Sequence, residues 1–246
     1  MPVFYNACRH CFVFTNLKVM YSTLTLQDEL VQRSADRVTD KEAFARLLLR
    51  KVGLGPASFL LIRNPYARAV SFFADKFRRH PALEQERGFA DFDGWQACQR
   101  MFFAPLSIDA TQSPGAVSRA LQTVSFGDMV AVLPTLYRQD PHLRPQHEIE
   151  TVFWRGLPQR VTFDGLVPIE QMNPALMLDR LGVNVEQRRN RTQRDPYTSH
   201  LTPDILATLN ALYEDDFARF GYCMHDRVPE EPVLAPVRPS SSFLTA

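Results

Sequence analysis

The chain has 246 residues, of which 45% are hydrophobic and 22% charged, and its net charge is +1. That composition suits one soluble α/β domain with a sizeable core. It excludes the broad basic field of a general nucleic-acid binder, so any anion site must be local.

Cys11–Phe14 is a short apolar run ending in Thr15-Asn16, the signature of a strand entering a loop. Ser22–Arg33 reads as a helix through Leu24, Leu26, Leu30 and Val31, and Asp40–Val52 as a second through Phe44, Leu47, Leu48 and Val52, stopped by Gly53 and Gly55. Phe59–Ile62 is apolar at every position, as in a parallel strand covered on both faces. Asn64 is a good N-cap and Pro65 a good first helical residue, which predicts a helix from Pro65 to about Arg79.

Further helices are expected over Phe89–Phe103 and within Ala116–Leu133, with Pro134–Glu148 a surface loop. Arg160–Phe163 and Gly165–Pro168 supply a short strand, and Pro174–Leu181 a short helix. A last helix starts at Thr202-Pro203 and buries Ile205, Leu209, Leu212, Tyr213, Phe217 and Phe220. The expected organisation is a single domain over residues 1–226 and a mobile Pro/Ser-rich tail over residues 227–246. Alternating strands and helices predict a P-loop-type parallel sheet flanked by helices on both faces.

Cys8, Cys11, Cys98 and Cys223 are too sparse for a disulfide framework. The Cys8–Cys11 spacing lacks a second close pair to complete a tetrahedral site, so no metal is expected. No charged segment precedes a long apolar core at the N-terminus, and no apolar run approaches the roughly 20 residues of a membrane span. The chain is therefore read as cytoplasmic, with neither signal peptide nor transmembrane segment.

Ligands of such sheets sit beyond the C-terminal ends of the strands, and two segments bring anion chemistry there. Thr15–Thr23 joins strand to helix with Lys18 in the turn, backbone amides over Val19, Met20 and Tyr21, and the hydroxyls of Ser22 and Thr23. It follows phosphate-loop logic without the glycines of that motif, and a solvated loop would look much the same. Arg63–Ser71 follows the buried strand. Arg63 offers a forked guanidinium at the strand end, and Arg68 and Ser71 share a helix face.

The pattern Arg63-Asn-Pro-Tyr-Ala-Arg-Ala-Val-Ser71 resembles the 3′-phosphate motif of sulfotransferases that use PAPS (3′-phosphoadenosine 5′-phosphosulfate). Leu17–Thr23 is similar to their 5′-phosphosulfate loop, with Leu17 in place of the usual proline and Asn64 in place of a common aspartate. Asp140–Gln146, Glu170 and Leu212–Tyr222 resemble segments of the carbohydrate sulfotransferase-like branch, so the likeness runs over roughly residues 11–222.

The resemblance implies PAPS as donor, PAP (3′,5′-adenosine bisphosphate) as product, no metal, and an acceptor hydroxyl, with a saccharide favoured. Lys18 would contact the bridging oxygen, Val19–Thr23 the 5′-phosphate, and Arg63 and Ser71 the 3′-phosphate. His142 would be the general base, with His147, Asp28 and Glu29 in reserve. Arg191, in the basic run Arg188–Arg194, would close over the cofactor or steer an anionic acceptor, and a solvated basic loop reads equally well. Acceptor contacts are expected in Lys76–Pro114. The alternatives are an ATP-dependent P-loop-type kinase, against which the glycine-free loop counts, and a sulfotransferase-like binding protein without turnover.

Overall fold

The computed structural model describes residues 2–16, 19–27, 30–34, 55–78, 94–154, 157–160, 162–186, 196–234 and 236. Strands β1 (Pro2–Asn6) and β2 (Cys11–Thr15) form an antiparallel hairpin in which Asn6 faces Cys11. β3 (Leu30–Ser34) pairs antiparallel with the outer edge of β1, while β4 (Ala57–Ile62) lies parallel to β2. β5 (Thr151–Trp154) and β6 (Leu157–Arg160) make a separate two-stranded ribbon. β7 (Gly165–Pro168) is parallel to β4 and completes a sheet of order β3-β1-β2-β4-β7.

Side chains alternate across this sheet. Phe12, Phe14, Leu60, Ile62 and Leu166 enter one core, and Cys11, Val13, Leu61 and Val167 enter the other. The first core is covered by α2 (Pro65–Lys76), α3 (Ala97–Arg100), α4 (Pro114–Thr123), α5 (Phe126–Leu136) and α7 (Pro203–Phe220). The second is covered by α1 (Tyr21–Leu24) and by the wide turn Met177–Leu181, which continues α6 (Pro174–Leu176). Phe12, Phe14, Phe72, Phe77 and Phe102 are at most 1% exposed in the first core. Each such ring contributes about 1.5–3 kcal/mol by leaving water.

The expected α/β layering with helices on both faces is present. The sheet is mixed rather than wholly parallel, because a short turn over residues 7–10 can join only antiparallel neighbours. The helix expected over Ser22–Arg33 is four residues long, and Leu30–Ser34 is a strand instead. Gln27 ends the helix by donating to the Thr23 and Asn184 carbonyls, and pairing with β1 then outweighs helix propensity.

The expected helix over Asp40–Val52 lies outside the described residues. Of Phe89–Phe103, Ala97–Arg100 is helical among the described residues. Ala116–Leu133 is split into α4 and α5, because Ser125 caps a new helix with Asp128 reaching back to its amide. α7 begins at Pro203 behind the Thr202 cap, as expected. No helix among the described residues is long and apolar enough to cross a membrane.

Candidate functional site

The parallel strands β2, β4 and β7 end side by side, so Asn16, Arg63 and Glu170 follow neighbouring strand ends. Behind β4 the local sequence sets the geometry. The Asn64 side chain accepts from the Tyr66 and Ala67 amides at 3.0 and 3.2 Å, and Pro65 opens the helix without needing a partner for its nitrogen. Those two amides are thus occupied by Asn64, and recognition of an anion here falls to side chains.

Three distant residues hold this turn. Gln146 is fully buried and clasps the Arg63 backbone at two points: its Oε1 accepts from the Arg63 amide at 2.9 Å and its Nε2 donates to the Arg63 carbonyl at 2.7 Å. Its own carbonyl accepts from Asn16 Nδ2 at 3.4 Å, which links the ends of β2 and β4. Glu170 accepts from the Asn64 amide at 2.8 Å and from the Tyr222 hydroxyl at 3.1 Å. Burial pushes the Glu170 carboxyl above its ordinary range, against the Asn64 amide and the Arg63 charge, which pull it down.

Asp216, on α7 and fully buried, is the third. It accepts from the Gln146 amide at 2.7 Å, the His147 amide at 2.8 Å and His147 Nδ1 at 2.9 Å. The hydrogen bond to Asp216 raises the His147 pKa, against the opposing effect of burial. Arg68 is 2% exposed, sits 3.8 Å from Asp216 Oδ2 and lies 5.1 Å over the Tyr213 ring. Neither of its terminal nitrogens makes a hydrogen bond. Arg68 therefore belongs to a buried ion pair between α2 and α7. Ser71 is also buried, one turn further along α2.

The other strand end is built differently. Thr15 donates its hydroxyl to the Val19 carbonyl, and the Val19 amide donates to the Asn16 carbonyl at 3.0 Å, which closes the loop on itself. Met20 is left-handed at φ 58° and makes no side-chain cap for α1. The Val19 and Thr23 side chains are buried, and Met20 and Tyr21 are half-buried. Lys18, the Ser22 side chain, Asp28, Glu29 and Arg191 lie outside the described residues.

His142 has other neighbours. Its Nδ1 is 2.6 Å from Asp140 Oδ1, which also accepts its backbone amide at 2.8 Å. The ring lies 6.0 Å from Phe72, and Cys98 of α3 is close by. Burial raises the Asp140 carboxyl, but the His142 hydrogen bonds outweigh it and hold the group below its ordinary value. Phe72 is two turns into α2, about 10 Å along the axis from Pro65. The Tyr213 hydroxyl donates to the Leu143 carbonyl at 2.8 Å and anchors this turn to α7.

The C-terminal segment reaches the same region. The His225 amide donates to the Tyr66 hydroxyl at 3.1 Å, and the Val233 carbonyl accepts from Asn64 Nδ2 at 3.1 Å. Sequence reasoning did not anticipate the roles of Asp216 and Cys98. A carboxylate on the core face of an otherwise amphipathic helix was the available signal for Asp216. The Cys8–Cys11 pair is divided between an exposed turn and a strand, where burial pushes the Cys11 thiol up to about 11.

The family model described as the sulfotransferase family matches residues 36–223, more than half of the chain. No curated protein and no solved structure matches at a significant level. The family match takes in Arg63–Ser71, Asp140–Gln146, Glu170 and α7, and begins beyond the Thr15–Thr23 loop.

Proposed function

The chain belongs to the sulfotransferase family, and from that premise we propose that it moves a sulfuryl group from PAPS to an acceptor hydroxyl, on a saccharide or glycoconjugate. The observation that carries this reading is the β4–Arg63–Asn64–Pro65–α2 turn at the C-terminal edge of parallel strands, its backbone clasped by Gln146 and Glu170. A guanidinium started from so fixed a point suits a compact dianion. These features fit the 3′-phosphate of PAPS.

Arg63 and Ser71 hold that phosphate in this reading. The amides of Val19, Met20 and Tyr21, with the hydroxyls of Ser22 and Thr23, hold the 5′-phosphate. Lys18 neutralises charge on the oxygen that leaves the sulfur, and Arg191 closes over the nucleotide. Sulfuryl transfer asks for in-line placement and stabilisation of the leaving oxygen, which positioned cations supply. His142 takes the acceptor proton on Nε2 while Asp140 fixes its tautomer through Nδ1.

The test is calorimetric binding of PAP without metal, followed by labelled-sulfate transfer from PAPS to a panel of glycans. PAP binding that weakens at least tenfold in Arg63→Ala, with the fold intact, is the expected result. Binding of Mg-ATP in preference to PAP would overturn the donor assignment. With PAP bound, His142→Ala should lower kcat by about 10²- to 10⁴-fold, the range for a lost general base, while leaving PAP affinity unchanged.

A further inference from the structure

The turn after α5 and the start of α3 bring together three side chains of different chemistry. Cys98 is 2% exposed, Asp140 is 8% exposed, and the His142 side chain is 21% exposed. One ligand atom from each lies within 4.8 Å of the other two. Two of the three are preset by the backbone: the Asp140 carboxylate accepts the His142 amide, and the Leu143 amide donates to the Asp140 carbonyl at 3.0 Å.

We propose that Cys98, Asp140 and His142 form a binding site for a divalent transition-metal ion of the zinc class. Thiolate, imidazole and carboxylate are the donors that such an ion takes, and three protein ligands leave a fourth position open on the exposed side of His142. Ligand distances of about 2.0–2.3 Å place tetrahedral donors about 3.3–3.8 Å apart. Closing the cluster from within 4.8 Å therefore needs donor separations to change by up to about 1.0–1.5 Å, with exchange of the 2.6 Å Asp140–His142 hydrogen bond.

The charges close as well. Cys98 gives up its thiol proton to solvent, and thiolate plus carboxylate then neutralise the dication. The nearby cation, Lys76, is already compensated, with its Nζ 3.0 Å from Asp75 Oδ2 and 2.6 Å from Gln96 Oε1. The Cys98 thiol lies 3.6 Å from Gln96 Oε1, a contact that it gives up on turning to the ion. Ion binding by these donors does not depend on sulfuryl transfer, although Asp140 and His142 also serve the transfer proposed above. Only one consequence rests on His142 as base: an ion bound there removes the base, so zinc inhibits transfer.

The test titrates the full chain, reduced and metal-free, with Co²⁺ followed by absorption. The expected result is one Co²⁺ per chain with a thiolate-to-cobalt charge-transfer band that Zn²⁺ abolishes. The band is lost in Cys98→Ser and kept in Cys223→Ser. Co²⁺ affinity falls in His142→Ala by more than the roughly 10- to 100-fold that loss of an outer-shell partner costs. No band in folded wild type, or a band that survives Cys98→Ser, overturns the site. If Cys98→Ser does not fold, His142→Ala decides, and unchanged affinity overturns the proposal. Zinc inhibition that vanishes in Cys98→Ser supports both the site and the base. Binding without inhibition supports the site and removes His142 as base.

Discussion

The two strand–loop–helix units at the sheet edge share a topology and differ in what holds them. After β4 comes a helix of 12 residues whose cap, Asn64, occupies two amides. After β2 comes a helix of 4 residues, entered through a left-handed Met20 without a side-chain cap. The β4–α2 turn is fixed by residues far away in the chain, Gln146, Glu170 and Asp216, whereas among the described residues the β2–α1 loop is closed by Thr15 and Val19, with one link from Asn16 to Gln146. Long-range clasping fixes the backbone from which the Arg63 side chain starts.

The largest effect should come from breaking the clasp at its base. Asp216→Ala leaves the Arg68 guanidinium buried beside the Tyr213 ring without its counter-charge. Removing one partner of a buried pair costs about 3–5 kcal/mol, and urea unfolding should show that loss. Replacing both partners, Asp216→Leu with Arg68→Met, should recover most of it. A single variant as stable as wild type would end the claim that α7 holds the β4–α2 turn.

Lys18→Ala should behave in the opposite way. Loss of the proposed leaving-oxygen contact lowers kcat by about 10²- to 10³-fold, on the scale of a missing oxyanion donor, with little change in unfolding. Near-normal turnover would remove Lys18 from the chemistry. A stability loss like that of Asp216→Ala would erase the contrast between the units.

Gln146→Ala probes the clasp more gently. Both hydrogen bonds to the Arg63 backbone go, and an orphaned buried amide and carbonyl cost about 1–3 kcal/mol. PAP affinity should fall with stability, since the start of the Arg63 side chain is no longer fixed. Unchanged PAP affinity in a folded Gln146→Ala would show that Arg63 needs no such support.

How far this contrast could be read from the chain follows from where each contact reaches. Asn64-Pro65 and Thr202-Pro203 are local signals, and α2 and α7 begin where those signals place them. The apolar run Phe59–Ile62 identified the central strand, because burial on both faces leaves no room for polar residues. β3 was missed because its pairing with β1 is settled by tertiary contact, and a Leu24–Val31 stripe suits a helix equally well. The meeting of Cys98 with His142, and of Asp216 with Gln146, depends on helix packing that no local pattern encodes.

The smallest effect is a pH dependence that separates the two units without a large loss of stability. The hydrogen bond to Asp216 raises the His147 pKa above its ordinary 6.5. The folded chain therefore binds this proton more tightly than the unfolded chain does. The stabilisation is fully present below about 6.5 and is lost as pH rises through the raised value. His147 is partly exposed and screened, so the slope is modest. Urea midpoints should fall across that window in wild type and fall less in His147→Gln, which keeps a backbone amide for Asp216 but no titrating ring. Parallel curves would show that His147 is not coupled to the clasp, and Asp216 would then hold Gln146 without help from the imidazole.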